Sequence, residues 1–141
     1  MDASSLYSLV NSIAFFAWIF LFIGTYNKNI QQWVFRIVIS GFAVLYTFLL
    51  FSGISNFDIN GFQTLEGLTA MFADQNLVLT GWIHYLCFDL VAGMYIARDG
   101  EKNEIPHLFL IPCLLFCFFS GPFGLLIYLI MRLLYCKSFT F

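Results

Sequence analysis

The side chain best placed to do chemistry in this sequence is Asp89, a carboxyl group within the apolar stretch 75–97. A charged side chain at the centre of a bilayer costs at least ~2.5 kcal/mol on insertion scales, and such residues usually mark functional sites. Burial in hydrocarbon favours the neutral acid, so Asp89 is suited to donating a proton. The alternative is a structural carboxyl that caps or pairs with a Ser, Tyr or Arg on a neighbouring helix.

The neighbours of Asp89 on a helix follow from a rotation of 100° per residue. One stripe of the helix then carries Trp82, Tyr85, Asp89 and Gly93. Aromatic walls with an acid and a gap between them suit a slender apolar ligand, whereas the alternative is aromatic packing with Gly93 at a helix crossing. His84 lies about 140° from Asp89 around the same helix, so it stays open whether the two share a site.

The composition is that of a membrane protein. Charged residues make up 10% of the chain, against roughly 25% in soluble proteins. Four stretches are long enough to span a bilayer, which takes about 20 apolar residues, and backbone groups in lipid must be satisfied internally, which predicts helices. We therefore predict a single all-α transmembrane domain over 1–141, a bundle of four helices at about 5–25, 33–53, 76–97 and 106–135.

Two connecting features complete the predicted fold. Between the second and third helices, apolar residues recur at helical spacing and predict a short amphipathic helix on the membrane surface or over the bundle: Phe62, Leu65, Leu68 and Phe72. The fourth helix is longer than a span requires. Pro112 and the pair Gly121-Pro122 should bend it, and we favour one Pro-kinked span over a broken, re-entrant helix.

The distribution of charge bears on location and partners. Lys28, Arg36, Arg98 and Lys102 fall on one side of the four-helix arrangement, against Arg132 and Lys137 on the other. The positive-inside rule then places both termini outside the cytoplasm. The N-terminus lacks a signal or transit peptide pattern, so we expect a complete small membrane protein that is inserted by its own helices. The net charge of −2 and the dispersed basic residues argue against nucleic acid as a partner.

The remaining polar side chains are assigned mostly to packing. Asn11 should hydrogen-bond another helix. The four cysteines include no CxxC pair and are interpreted as small hydrophobes, with thiol redox chemistry at Cys113 and Cys117 as a weaker alternative. Two histidines separated by 23 positions do not form a metal motif, so no metal site is predicted. A ridge of small residues on the fourth helix should meet the third helix: Cys113, Cys117, Gly121 and Gly124.

Three segments carry a resemblance to a known family: "FQTLEGLTAMFA", "GWIHYLCFDLVAGMYIARDG" and "IPHLFLIPCLLFCFFSGPFGLLIYLIMR". They resemble the abscisic-acid-deficient-four-like proteins, whose plant members are neoxanthin synthases of the plastid. The resemblance is close over about half of the chain, and the first two helices match mainly in hydropathy, with Asn11 and Tyr46 as anchors. The chain departs from the family in having Gln75-Asn76 where a Pro is expected and in lacking a plastid transit peptide. Compared with the plastid proteins of the family, the second departure implies a bacterial member in the inner membrane. The family positions carried over are His84, Tyr85, Asp89, Arg98, Asp99, His107, Pro112, Cys113, Gly121 and Pro122.

The resemblance implies a membrane isomerase of a carotenoid or related isoprenoid, acting by conversion of an epoxide to an allene. Asp89 would be the acid, His84 would be the base or would assist through water, and Tyr85 would hold the oxygen. Arg98 would pair with Asp99 or mark the cytoplasmic end of the helix. The change is internal to the substrate, so no cofactor is implied. The substrate-binding candidates are Trp82, Gly93, Asn11, Tyr46, Cys113, Cys117 and Gly121. The alternative is a non-enzymatic module that binds a carotenoid or lipid or assists assembly, and the sequence leaves open whether the chain forms a homo-oligomer.

Overall fold

The computed structural model describes residues 2–53 and 59–136, without the side chains of residues 59 and 60. Within these ranges every regular element is a helix, which confirms the all-α prediction. The elements are α1 (Ala3–Ile23), α2 (Lys28–Trp33), a π-helical segment (Val34–Ile39), α3 (Ser40–Ser52), a 3₁₀ turn (Ile59–Gln63), α4 (Leu65–Met71), α5 (Gln75–Lys102), α6 (His107–Phe119) and α7 (Gly121–Cys136). The start of the connection before α4, 54–58, and the cation Lys137 lie outside the described residues.

Three helices in the described part of the chain are long and apolar enough to cross a membrane: α1, the continuous helix Lys28–Ser52, and α5. They contain 21, 25 and 28 residues, or about 30 to 42 Å at 1.5 Å per residue. Two of their starts are fixed by side chains that accept backbone N–H groups, Asn27 before α2 and Asp74 before α5. These helices match the first three predicted spans.

The short helix predicted between the second and third spans is present as α4. Thr64 begins it by accepting a hydrogen bond from the Gly67 N–H at 3.1 Å, the usual role of an N-cap threonine. A Cβ added at Gly67 would lie 2.6 Å from the Gly61 carbonyl oxygen, so the close fit of the 3₁₀ turn on α4 requires glycine there. The helix lies beside the ends of α3 and α5, where it borders two cavities.

The prediction of one Pro-kinked fourth span is not confirmed. Residues 107–136 form two helices, α6 and α7, because Ser120 between them is extended, with φ −160° and ψ 99°. The break falls at Ser120, directly before Gly121 begins α7. Pro122 lies in the first turn of α7, where its missing N–H would have no helical partner in any case. Pro112, the other predicted kink, lies inside α6. With 13 and 16 residues, each helix is about 20 to 24 Å long and too short to span alone.

The contacts of α6 and α7 with α5 show that the two helices form a hairpin. Along α6, Leu110 packs on Gly100 and Cys117 reaches the Asp89 backbone, so α6 runs antiparallel to α5. Along α7, Gly121 lies against Asp89 and Arg132 binds Asp99, so α7 returns in the direction of α5. Residues 107–136 therefore enter and leave on the side where α5 ends, and we call them the re-entrant hairpin.

The core is centred on α5, which packs against α1, α3, α6 and α7. The gap predicted beside Gly93 is occupied by the indole of Trp18. A Cβ added at Gly93 would lie 2.5 Å from Trp18 Cη2, and Trp18 is only 2% exposed. Gly93 thus lets α1 approach α5 closely, as small residues do at membrane helix crossings, and the space it leaves is not open to a ligand.

Candidate functional site

Asp89 lies at the tip of the re-entrant hairpin, where α6 ends and α7 begins. Its side chain is buried, with 5% of the residue exposed. The carboxyl group interacts with the Gly121 backbone N–H and with the Tyr85 hydroxyl, and a Cβ added at Gly121 would overlap Asp89 Oδ1. The Tyr85 hydroxyl in turn donates to the Phe119 carbonyl oxygen at 2.9 Å. Tyr85 and Asp89 are thus brought together at one point of the backbone.

At that point the break between α6 and α7 leaves backbone groups that require hydrogen-bond partners. The end of α6 and the start of α7 leave backbone groups without helical partners, and hydrocarbon supplies none. Tyr85 and Asp89 are four residues apart and share a helix face, so they cap the Phe119 carbonyl and the Gly121 N–H together. We call Tyr85 and Asp89 the tip clamp.

One atom of the tip clamp is not accounted for by capping. Asp89 Oδ2 is buried and makes no hydrogen bond within the described part of the chain. An uncompensated carboxylate oxygen in such surroundings is costly. Asp89 would exchange a proton through Oδ2 if it acted as the acid predicted from the sequence.

The aromatic stripe beside Asp89 packs against α1. Trp82 Nε1 donates to Asn11 Oδ1 at 3.1 Å, which confirms that Asn11 bonds another helix. The Trp82 ring stacks on Tyr85, with centroids 5.2 Å apart, and lies 5.9 Å from the ring of Tyr7. These contacts join α1 to α5 next to the tip clamp. The aromatic stripe therefore fits the interpretation as helix packing more closely than the interpretation as the wall of an open ligand site.

His84 lies on a different face of α5 and does not meet Asp89. Its ring is exposed on the protein surface, 5.4 Å from the ring of Tyr46 and 4.6 Å from that of Phe88. It borders a groove of about 280 Å³ between α3, α4 and α5, whose lining also includes Tyr46, Leu50, Phe62, Leu68, Phe72 and Thr80. We call it the α4 groove. Asp89 does not line it, so the structure separates the predicted acid from the predicted base.

The two predicted substrate-binding cysteines lie in the interface between α5 and α6. Cys113 Sγ donates to the Phe109 carbonyl at 3.4 Å, and Cys117 Sγ donates to the Asp89 carbonyl at 3.6 Å. Both are buried, at 1% and 0% exposure. Gly124 is part of the same contact, since a Cβ there would overlap the Cys117 backbone. The small-residue ridge is therefore a packing surface. It packs against α5, as predicted, and it also forms the contact between α6 and α7.

A buried ionic cluster was not predicted from the sequence. Asp99 Oδ2 accepts hydrogen bonds from Arg132 Nε and the Tyr128 hydroxyl, each at 2.5 Å, and all three residues are buried. The predicted pair of Arg98 with Asp99 is wrong, because the Arg98 guanidinium lies 5.6 Å from the ring centre of Phe35. Arg132 is the single cation in the apolar segment 121–136. That isolation was the available signal for a buried partner.

His107 holds the start of the hairpin. Its Nε2 lies 3.0 Å from Thr25 Oγ1, and its ring is 5.6 Å from that of Tyr26. The Tyr26 hydroxyl donates to the Ile105 carbonyl. These contacts join the end of α1 to the start of α6, which gives His107 a structural role at the membrane edge.

Three helices long and apolar enough to cross a membrane, with a hairpin capped at its tip, are the features of an α-helical membrane protein. The chain belongs to the ABA DEFICIENT 4-like family, whose sequence model matches residues 5–128. It is similar to Protein ABA DEFICIENT 4, chloroplastic, of Arabidopsis thaliana, with 37% identity over 54 residues. The aligned stretch covers 38% of this chain and 24% of the plant protein. No solved structure matches the chain.

Proposed function

We propose that the protein is a membrane isomerase of a carotenoid or related isoprenoid, and that its substrate enters the α4 groove from the lipid. The observation that carries the proposal is the pairing of His84 with Tyr46 in a groove whose remaining lining is apolar apart from Thr80. Membership in the ABA DEFICIENT 4-like family supports the substrate class.

The size of the groove indicates how much of a substrate it holds. Pockets that enclose a drug-sized ligand measure roughly 300–1,000 Å³, and the α4 groove measures about 280 Å³. It therefore accommodates one end group of an elongated polyene. The rest of the molecule would lie along the lipid-facing aromatic side chains nearby, of which Phe48 is 67% and Phe88 59% exposed.

The reaction requires one base and one acid. In an epoxide-to-allene conversion a C–H bond and an epoxide C–O bond break, a cumulated double bond and an O–H bond form, and nothing is oxidised or reduced overall. Among the described residues that line the groove, His84 and Tyr46 are the side chains suited to proton transfer. His84 takes the proton from carbon and the Tyr46 hydroxyl protonates the oxygen. The rings are 5.4 Å apart, so a bridging water can return the proton from His84 to Tyr46.

His84→Gln tests the base. Loss of general base catalysis lowers rates by roughly 100- to 10,000-fold, and we expect that loss of conversion without loss of folding, because His84 is exposed. The measurement is incubation of the purified protein with candidate carotenoids and retinoids, followed by chromatographic separation of the products. His107→Gln is the matched control, since His107 lies at the start of α6, and it should convert substrate like the wild type. Full conversion by His84→Gln would contradict the proposed role.

The second candidate function is binding or assembly without catalysis. It is favoured by the tip clamp, because the most costly polar side chain of the spans has a structural task there. The visible spectrum of the purified protein and the extracted pigment distinguish the two. A pigment that stays bound and is never converted by the wild type would favour binding over isomerisation.

We further propose an orientation that revises the expectation for the two termini. The re-entrant hairpin places Arg132 on the same side as the other described cations, Lys28, Arg36, Arg98 and Lys102, which we call the basic side. The described residues on the opposite side include the acidic residues Asp2, Glu66 and Asp74 and no Lys or Arg. By the positive-inside rule, the basic side faces the cytoplasm of a bacterial inner membrane. The start of α1 then lies outside, and residue 136 lies inside.

Thiol labelling tests this orientation. Cys87, Cys113 and Cys117 are buried, whereas Cys136 is partly exposed, so Cys136 is the thiol expected to react in the wild type. In intact cells a membrane-impermeant maleimide should label a Ser4→Cys variant at the new thiol. Labelling of Cys136 should require permeabilised cells. Equal labelling of both positions in intact cells would show that they lie on the same side, as the four-span prediction has it.

A further inference from the structure

A small pocket on the basic side lies apart from the groove and residues that the proposed reaction uses. It measures about 200 Å³. The described side chains that line it are all polar or charged: Lys28, Gln31, Gln32, Arg98 and Glu101. The first three belong to the start of the helix Lys28–Ser52, and the last two belong to the end of α5. We call this site the basic-side pocket.

The basic-side pocket lies at the level where two membrane-spanning helices end. Lys28 is the first residue of its helix, and Arg98 precedes the last residue of α5 by four residues, or about 6 Å along the axis. Tyr26 and Trp33, which flank the start of the second span, are exposed, as is typical of aromatic residues at a membrane surface. A molecule in the pocket can therefore contact water and lipid at once.

Arg98 is the cation of the pocket whose charge is not matched by a carboxylate. Its guanidinium lies 5.6 Å from the ring centre of Phe35, and it forms no ion pair with any residue that the structure describes. An aromatic ring stabilises a guanidinium by a cation–π interaction. The planar group then keeps its N–H donors for an acceptor, and guanidinium groups bind phosphate oxygens through two parallel hydrogen bonds.

Lys28 supplies a second cation, which is shared with a carboxylate. Lys28 Nζ lies 3.7 Å from Glu101 Oε1, and its side chain is 77% exposed. An ammonium group has three donors, so it can bind a second acceptor while it faces Glu101. The two cations exceed the one carboxylate of the pocket by a single charge. This surplus matches a phosphodiester, which carries one negative charge, more closely than a phosphate monoester, which carries about 1.5 to 2.

The two glutamines add hydrogen-bonding groups beside these charges. Gln31 is 2% exposed, and its Nε2 donates to the Thr25 carbonyl at 2.5 Å. This bond fixes the amide and leaves its oxygen to accept from a ligand. The amide of Gln32, which is exposed, offers both donors and an acceptor. The pocket is therefore suited to a phosphate group that carries hydroxyl groups next to it.

We propose that the basic-side pocket binds the headgroup of an anionic phospholipid, with the phosphodiester between Arg98 and Lys28. Pockets that enclose a drug-sized ligand measure roughly 300–1,000 Å³, so a space of about 200 Å³ holds a headgroup and leaves the acyl chains outside. The chains would lie along the exposed apolar side chains of the same helix, Phe35 and Ile37. The proposal goes beyond the isomerase proposal and does not depend on it.

A competition between two lipids tests the proposal. Equal amounts of phosphatidylglycerol and phosphatidylcholine with the same acyl chains are offered to the delipidated protein in detergent, and native mass spectrometry counts the lipids retained. The wild type should retain phosphatidylglycerol in about fivefold excess, the factor that corresponds to one cation near an anionic membrane surface. Equal retention of the two lipids, or retention of neither, would overturn the proposal.

Arg98→Gln assigns the preference to the pocket, because it removes the unmatched cation. The excess of phosphatidylglycerol should fall toward equal retention. Lys102→Met is the matched control, since Lys102 is an exposed cation of the basic side that does not line the pocket, and it should keep the wild-type excess. An equal fall in both variants would assign the preference to the overall charge of the basic side and overturn the site.

Glu101→Gln should change the preference in the opposite direction, which a loss of folding cannot imitate. Without its carboxylate partner Lys28 is free for the lipid, so the excess should rise by about a further fivefold. Glu104→Gln is the matched control, because Glu104 is an exposed acid three residues further on that does not line the pocket. The same excess in Glu101→Gln as in the wild type would contradict the placement of the phosphodiester beside Lys28.

Inorganic phosphate distinguishes a lipid from a soluble ligand of the same chemistry. Added at millimolar concentration to the same competition, it should leave the retained phosphatidylglycerol unchanged, because the acyl chains bind outside the pocket and phosphate lacks them. Displacement of the lipid by phosphate would identify a site for free phosphate and overturn the lipid assignment. No carotenoid enters these measurements, so their outcome and that of the conversion assays are independent.

Discussion

Gly121→Ala is expected to prevent the re-entrant hairpin from forming, because the position has no room for a side chain. An added Cβ would overlap Asp89 Oδ1 and lie 2.9 Å from Asp89 Cγ and 3.4 Å from Asp89 Cα. Relief would require α7 to move away from α5, which would also open the bond between Asp89 and the Gly121 N–H. Overpacking costs about 1–3 kcal/mol and a lost cap about 1 kcal/mol. We therefore expect a loss of about 3 kcal/mol of unfolding free energy.

Gly41→Ala is the matched control for this substitution. Gly41 lies in the membrane-spanning helix Lys28–Ser52, and an added Cβ there would meet nothing within 4 Å. The replacement should leave stability unchanged or raise it by up to about 1 kcal/mol through helix propensity. Both variants are compared by thermal unfolding in one detergent. Equal midpoints for Gly121→Ala and Gly41→Ala would contradict the placement of Asp89 against the hairpin tip.

Asp99→Asn is expected to have the second large effect, because it removes the carboxylate that the buried Arg132 guanidinium binds. The side chains of Arg132 and Asp99 are 7% and 9% exposed. Removing one partner of a buried ion pair typically costs about 3–5 kcal/mol. Since this pair holds α7 against α5, the hairpin should open. The rise in maleimide reactivity of the buried thiols Cys113 and Cys117 measures the opening directly.

Lys28→Met provides the comparison for a charge pair that water screens. Lys28 Nζ and Glu101 Oε1 are 3.7 Å apart, with side-chain exposures of 77% and 30%, and exposed pairs contribute about 0–1 kcal/mol. The double variant Asp99→Asn with Arg132→Gln should lose less stability than the sum of the single losses, because both single variants break the same ion pair. If the Asp99→Asn variant has an unfolding temperature no lower than that of Lys28→Met, the buried pair does not hold the hairpin.

The spans were predictable because the absence of charge over some 20 residues has one outcome in a bilayer, a helix that crosses it. The hairpin was not predictable in this way. An apolar stretch of about 30 residues, 106–135, is compatible with a kinked span or with a turn at Gly121-Pro122. Contacts between residues distant in sequence decide between them, from Tyr85 and Asp89 to the tip and from Asp99 to Arg132.

The site shows the same division between local and tertiary information. The rotation of 100° per residue already separated His84 from Asp89, and in the structure the two side chains contact different residues. The sequence of α5 alone does not predict which residues these are. The space beside Gly93 belongs to Trp18 from α1, and the wall beside His84 comes from α3 and α4. Helical geometry thus predicted which side chains share a face, and tertiary packing determined what covers it.

The measurement that tests the division of roles most directly is carotenoid conversion by Asp89→Asn. Asparagine keeps an oxygen that accepts the Gly121 N–H, so the tip clamp and the fold should survive, while the acid is removed. We expect the folded variant to convert substrate at a rate within severalfold of the wild type, and His84→Gln, measured beside it, to convert almost none. A folded Asp89→Asn protein that converts nothing would contradict this division and identify Asp89 as the acid of the reaction.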